Sequence, residues 1–484
     1  MRKNLRTALA AAAAAALTSS LLVVTAGSST AATANADDFN GDGYRDLAVS
    51  APGTVVGGHD QAGAVVITYG SSSGPKSGRT QIVTQSSNGV PGAFEEGDRF
   101  GEATTSGDFN NDGYADLAVG APCEDTTAGL DTGEDTGAVT VLWGSGAGLT
   151  GGTALKIPPL SYPTGYGHVL TSGDFDGNGR HDLAVGLHWD NSVFFYLGGA
   201  TKGSALGGRT GFEVTPLSDV VSLAAGDVNG DGSDDIVIGG HDSSRDLYKQ
   251  SLYLKPLGSL QPEYAGDVSH GASAAVGDVD GDGYADIVTG HPWDQRASMA
   301  GTSLGGNVSL TYGSANGRDT SRPTVTITQN TDGIPGVSEE SDNFGSAVAL
   351  NDINGDGRAD LAVGAPQESI GSAELTGSVT VIPGSADGLA TTSASAYNQG
   401  STGIPGAAEA GDLFGDAVAL TDTNGDMLAD LAIGASGENT FDGAVSSLRG
   451  HASGLTTTGA VSFGAGTAGL ATDGWPEFGV AVTG

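Results

Sequence analysis

Seven times this chain writes an acidic loop and runs straight from it into an apolar stretch, first as DFNGDGYRDLAV from Asp38. The copies begin at Asp38, Asp108, Asp174, Asp227, Asp278, Asp352 and Asp422, spaced 70, 66, 53, 51, 74 and 70 residues apart. Self-similarity at such a period constrains the fold more than any local detail does. The period is too long for a helical solenoid repeat and long enough for four strands with turns. Most copies follow a strand that often starts Phe-Gly, as from Phe100, Phe344 and Phe414, and lead into a Gly-led alternating strand such as GAVVITYGS from Gly63. A further strand, for example TVTITQ from Thr324, makes four. Short alternating strands bounded by Gly, Asp and Ser read as β throughout. Four strands cannot bury two faces alone, so the units stack. Radial stacking predicts an all-β chain, a seven-bladed β-propeller of four-stranded blades over residues 37–484.

The ends predict how the ring closes. The first loop has no Phe-Gly strand before it, whereas FGVAVTG from Phe478 to Gly484 is a Phe-Gly strand with no loop after it. The C-terminal strand is therefore expected to complete the N-terminal blade, which hides both open sheet edges. Ahead of the repeats, Arg2, Lys3 and Arg6 precede a small-residue apolar run over 8–26 and cleavage signals at Ala32-Thr33-Ala34 and Ala34-Asn35-Ala36. Residues 1–36 read as a secretory signal peptide, with an uncleaved anchor as the alternative. No second span follows, so the expected location is secreted and extracellular. A net charge of -38 argues against a nucleic-acid partner, and the single Cys123 excludes an intramolecular disulfide framework.

Within each loop, positions 1, 3, 5 and 9 carry side-chain oxygens and position 7 can offer its backbone carbonyl, as in the first half of an EF-hand loop. The candidate ligands are Asp38, Asn40, Asp42, Tyr44 and Asp46 in the first loop, then Asp108, Asn110, Asp112, Tyr114 and Asp116 in the second. Asp174, Asp176, Asn178, Arg180 and Asp182 follow in the third, and Asp227, Asn229, Asp231, Ser233 and Asp235 in the fourth. The fifth offers Asp278, Asp280, Asp282, Tyr284 and Asp286, the sixth Asp352, Asn354, Asp356, Arg358 and Asp360, and the seventh Asp422, Asn424, Asp426, Leu428 and Asp430. An all-oxygen set favours Ca2+ over zinc or copper, and several protein ligands favour it over magnesium. One isolated copy could be an Asx-stabilised turn. Seven copies bring 22 carboxylates into small loops that repel without a cation, so about six or seven structural calcium ions are expected. Asp278, Asp280, Asp282 and Asp286 make the most charged loop, and Met427, where the others have Gly, predicts a weak or distorted seventh.

The recurring Phe-Gly, the Asp-x-Asn-Gly-Asp-Gly loop and Gly-Ala-Pro, as Gly120-Ala121-Pro122 and Gly364-Ala365-Pro366, together resemble the FG-GAP repeats of the integrin α-subunit N-terminal propeller. The resemblance implies a seven-bladed propeller with calcium in loops joining first and second strands, held by the loop Asp and Asn residues. Integrin legs and membrane span have no counterpart, and blades 3 to 5 lack Gly-Ala-Pro. FG-GAP repeats also accompany the catalytic domain of a glycosylphosphatidylinositol-specific phospholipase D, for which the repeats leave no room.

A strand of five or six residues spans roughly 17 to 20 Å, which places the Gly-Ala-Pro corners on the face opposite the loops. There, three blades substitute GLHWDN from Gly186, GGHDSS from Gly239 and GHPWDQ from Gly290. His188, Trp189, Asp190, His241, Asp242, His291, Trp293 and Asp294 are candidate ligand-binding residues. Tryptophan faces with carboxylates suit sugar rings, and His near Asp suits a metal. The alternative is that these residues cap and pack the blades. No Gly-x-Ser-x-Gly elbow, His-Glu-x-x-His or P-loop occurs. The function expected is an extracellular binding or adhesion module for a glycan or protein ligand. The alternatives are a secreted hydrolase acting on phosphodiesters or glycans from the opposite face, and a passive scaffold.

Overall fold

The structure, a computed structural model, describes residues 37–484 except 126–134, 159–163, 256, 258–261, 295–299 and 473. The leader assigned to residues 1–36 lies outside the described residues. Seven four-stranded antiparallel sheets make the seven expected blades. Blade 2 runs Thr104–Gly107, Asp116–Ala121, Ala138–Trp143 and Thr150–Ala154, a simple meander that the other blades repeat. In blade 1 the first strand is Val482–Thr483, paired to Leu47–Ala51 with Ala48 opposite Thr483 and Val49 opposite Val482. The ring closes as the two chain ends predicted.

Alternation is lost in the second strands. Leu47–Ala51, Asp116–Ala121, Asp182–Leu187 and Asp360–Ala365 are buried at every residue. A blade has a neighbour on both faces, so both pleats are covered, as in a sheet sandwiched within a core. The apolar side chains form seven clusters, one at each join between blades. The cluster holding Leu47, Val66, Val445 and Phe478 joins blade 7 to blade 1.

Two glycines at each of the joins 2–3, 5–6, 6–7 and 7–1 explain the repeat signature. A Cβ on Gly364 would lie 2.0 Å from the carbonyl oxygen of Gly415 in the next blade, and one on Gly434 would lie 1.9 Å from that of Gly479. The Gly of Gly-Ala-Pro therefore meets the Gly of the following Phe-Gly backbone to backbone. The Gly that leads the third strand in blades 1, 2, 5, 6 and 7 does likewise: a Cβ on Gly377 would stand 2.2 Å from the Phe414 carbonyl oxygen, at φ 86°. Glycine permits both the close approach and the left-handed backbone.

The Pro-Gly stretches before the first strands of blades 2, 6 and 7 lock neighbouring blades together. Gln85 Nε2 donates to Glu124, Gln329 Nε2 donates to Glu368 at 2.5 Å, and Gln399 Nε2 donates to Glu438 at 2.6 Å. In all three the glutamine Oε1 is buried without a partner. Burial pushes Glu124 and Glu368 up to about 7, against the lowering effect of the glutamine donors. A raised carboxyl stabilises the fold fully below its unfolded value of 4.5 and loses that contribution as pH rises through about 7. At fixed calcium, wild-type stability should therefore fall by about 2 kcal/mol per carboxyl between pH 5 and 8 relative to the Glu124→Gln/Glu368→Gln variant, as read by thermal melts across pH.

Candidate functional site

The acidic loops lie where each first strand turns into the second, all on one face. The Asp38 carboxylate accepts the N–H groups of Gly41, Asp42 and Gly43 at 2.6, 3.1 and 2.9 Å, and Asp42 accepts Tyr44 N–H at 3.2 Å. The sixth loop repeats this, with Gly355, Asp356 and Gly357 donating to Asp352 at 2.6, 3.3 and 2.8 Å. Successive loops are joined head to tail around the ring. The position-1 carbonyl of one loop accepts the position-8 N–H of the next, as in Ala115 to Asp38 at 3.0 Å, Ala359 to Asp278 at 2.8 Å and Arg45 to Asp422 at 3.3 Å. The join between blades 2 and 3 differs, with Asp108 N–H donating to His181 Nδ1 at 3.3 Å.

Position 9 ties each loop to the blade. Asp116 is fully buried and accepts Phe109 N–H at 3.1 Å and Gly144 N–H at 2.8 Å, the latter from the end of the third strand. Asp46, Asp182, Asp286 and Asp360 do the same with Gly70, Gly198, Gly313 and Gly384, and Asp235 with Lys255. Burial, reinforced by the carboxylates at positions 1 and 5, pushes Asp46 and Asp116 up to about 8, although backbone donors oppose it. Asp182, Asp235 and Asp286 rise to about 7, and Asp360 and Asp430 to about 6. The position-2 side chain beside each carboxylate is an anchor: Phe39, Phe109, Phe175, Val228, Val279 and Ile353 are wholly buried.

Position 3 divides the loops. Where it is Asp, in the third and fifth, the carboxylate oxygens of Asp174, Asp176 and Asp182, and of Asp278, Asp280 and Asp286, converge within 4.8 Å of one another. Where it is Asn in the first, second, sixth and seventh loops, the amide Nδ2 turns to the position-9 carboxylate, as Asn110 does to Asp116 and Asn354 to Asp360, whereas in the fourth Asn229 Oδ1 accepts Asp231 N–H at 2.9 Å. The Asn110 Oδ1 is then left buried and unpartnered. Crowded oxygens and an orphaned amide oxygen, with no Cys or His among the candidate ligands, fit a hard divalent cation. The seventh loop is not distorted. Met427 takes φ 69° and donates to Asp422 Oδ2 at 2.8 Å, as Gly43 does to Asp38 in the first loop. Its side chain is exposed, and the expected distortion is replaced by a left-handed methionine, a strain of about 1 kcal/mol.

The opposite face brings part of the His/Trp set together. His188 packs on His168 at 4.5 Å and on Trp189 at 4.4 Å between ring centroids, and its Nδ1 lies 3.3 Å from Asp219 Oδ1. His168 reaches Glu102 at 3.4 Å, and Glu102 pairs with Arg99. Burial and the neighbouring His168 hold the His188 imidazole below its ordinary range. In blades 4 and 5, His241 meets Tyr248 at 4.8 Å, Tyr248 stacks on Trp293 at 4.2 Å, and His291 lies beneath Trp293 at 5.1 Å. His291 is buried, which pushes it down to about 4, so it is neutral at physiological pH. Asp219 stands opposite His241 in the first two strands of blade 4 and so links the two groups. The three aspartates of the set serve the backbone instead. Asp190 accepts Ser192 N–H at 2.8 Å, Asp242 accepts Ser244 N–H at 3.1 Å, and Asp294 accepts Gly305 and Ser341 N–H at 2.9 and 3.0 Å. Glu102, His168, Asp219 and Tyr248 carry no signal in the sequence because they lie in or just before ordinary-looking strands.

A closed seven-bladed propeller with an acidic loop in every blade defines a repeat β-propeller. The FG-GAP repeat matches residues 29–67, 100–142, 270–307, 344–382 and 414–448, and the FG-GAP-like repeat matches 174–238. The chain belongs to the FG-GAP repeat family. It is 36% identical over 169 residues to phosphatidylinositol-glycan-specific phospholipase D of Rattus norvegicus, 34% of this chain and 19% of that protein. It is 35% identical over 169 residues to integrin alpha-PS5 of Drosophila melanogaster, covering 33% of this chain and 15% of that one. The chain thus spans less than a fifth of these relatives' length. Among solved structures, BBS1N in complex with ARL6DN aligns at TM-score 0.41 and 10% identity over 76% of this chain and 82% of that one, too weak a likeness to add to the strand pairing. Among the described residues no helix is long and apolar enough to cross a membrane.

Proposed function

We propose that this protein is a secreted, calcium-binding propeller that acts as an extracellular binding or adhesion module for a glycan or protein ligand. In this reading residues 1–36 are a cleaved leader and residues 37–484 the mature propeller. The observation that carries it is the sevenfold acidic loop on one face, with carboxylate oxygens converging in the third and fifth copies, and an aromatic arc on the other. The Asp and Asn side chains at positions 1, 3, 5 and 9 hold the ion, with the position-7 carbonyl. A bound cation supplies the positive charge that keeps buried position-9 carboxylates ionised while they still accept two backbone N–H groups. The loops are linked carbonyl to N–H at every join but that of blades 2 and 3, so occupancy stiffens neighbouring blades together. Calcium is then structural, and recognition falls to the other face. Trp189 is 52% exposed there, and Trp293 lies over Tyr248. Exposed aromatic faces beside carboxylates stack on sugar rings or on a partner's apolar side chains.

The test is retention of the calcium-loaded mature chain on arrays of surface glycans and extracellular proteins. Trp189→Ala/Trp293→Ala should lower retention at least about tenfold while the melting temperature stays within about 2 °C. Unchanged retention, or release of product from the array, contradicts the reading; release of product would favour a hydrolase.

A further inference from the structure

We propose that Arg322 is a built-in competitor of calcium in the fifth loop, holding the Asp280 carboxylate so that the loop richest in carboxylates fills only at raised calcium concentration. This rests on the calcium reading above. Arg322 Nη1 lies 2.5 Å from Asp280 Oδ2, at a carboxylate that is almost wholly buried. The guanidinium is not a loose surface charge. It lies on the ring of Tyr312, 3.2 Å from its centroid, and Tyr312 is itself buried. Arg358 of the following blade adds a second cation, with Nε donating to the Asp280 carbonyl at 3.3 Å.

Blade 1 has a related pair, at position 5 of its loop rather than position 3. Arg79 Nη2 lies 3.2 Å from Asp42 Oδ2, and its guanidinium sits 5.8 Å from the centroid of Tyr69. In both blades the arginine precedes the fourth strand, Thr80–Val83 or Val325–Ile327, and the tyrosine follows the third, Ala64–Thr68 or Asn307–Thr311. The third loop is the natural contrast. Its carboxylates converge as those of the fifth do, yet among the described residues no basic side chain is paired with Asp174, Asp176 or Asp182. A divalent ion arriving at Asp280 must displace the guanidinium or share the carboxylate with it, and like charges a few ångströms apart oppose binding. A planar group fixed by an aromatic face resists displacement better than a flexible ammonium.

The experiment is site-resolved occupancy by anomalous scattering from crystals of wild type, Arg322→Gln and Arg322→Lys, soaked in graded terbium(III). In Arg322→Gln the concentration that half-fills the fifth loop should fall about tenfold, with the third loop unchanged. Arg322→Lys, which keeps the charge without the planar stack, should fall between the two. In loaded wild type the Arg322–Asp280 contact should open beyond ion-pair distance, a readout that needs no variant. If the fifth loop fills alike in wild type and Arg322→Gln while the third fills normally, or if the loaded loop keeps the contact intact, the competition is wrong and the calcium reading stands. Terbium in none of the loops overturns both.

Discussion

Stripping calcium from the mature chain is expected to lower its melting temperature by about 15 °C. A site at hundredfold excess of ligand over its dissociation constant adds about 2.7 kcal/mol to the native state. Half a dozen such sites, set against an unfolding entropy of roughly 1 kcal/mol/K for a chain of this size, give that shift. The loss should be cooperative. At six of the seven joins a loop's position-1 carbonyl holds the next loop's backbone, and the position-9 carboxylates hold both their own loop and the end of the third strand, so a loop that loosens releases its neighbours. Differential scanning calorimetry before and after chelation, followed by calcium add-back, measures the shift. A change under about 3 °C would mean that hydrogen bonds alone suffice to hold the loops.

Gly364→Ala should destabilise the propeller by about 3 kcal/mol, the upper range for forcing extra volume into a packed interior. The added carbon would stand 2.0 Å from the Gly415 carbonyl oxygen and 3.4 Å from Ala347 Cβ, so two blade backbones must separate. The penalty comes from contact alone, because Gly364 is absent from the left-handed positions. Gly78→Ala is the control: nothing lies within 4 Å of its added carbon, and the change should stay within about 0.5 kcal/mol. Chemical denaturation of both variants in calcium gives the comparison. Equal stabilities would show that the join relaxes around a methyl group.

The blade count, the strand order and the ring closure were legible because the sequence repeats a local pattern whose period matches one structural unit. The chain ends then supplied complementary halves of one blade. Phe-Gly and Gly-Ala-Pro were visible as motifs, but their reason was not, since Gly364 and Gly415 meet only across a blade join. The acidic positions were legible for the same cause as the period. What sequence could not show is that the position-9 aspartate has a second partner 24 or 28 residues away, as Asp46 has in Gly70 and Asp116 in Gly144. Nor could it show that Arg322 folds back 42 residues onto Asp280, in the loop richest in aspartates. On the opposite face, His188 and Trp293 stood out by residue type, whereas Asp219 joins the first and Tyr248 the second only through blade packing. Met427 predicts a weak or distorted seventh loop because glycine is the easy residue at positive φ, and only the backbone geometry answers that expectation. The loop hydrogen bonds are enough to hold a methionine there.

The account stands or falls on whether the repeated loops hold calcium. Equilibrium dialysis of the chelated, refolded mature chain against graded calcium, with bound metal counted by atomic absorption, addresses it directly. The account predicts about six or seven ions per chain, bound by oxygen ligands alone and displaced by other hard divalent cations more readily than by zinc. A chain that remains folded and binds none, or only one, would contradict it, and the seven loops would then be turns held by their own backbone donors.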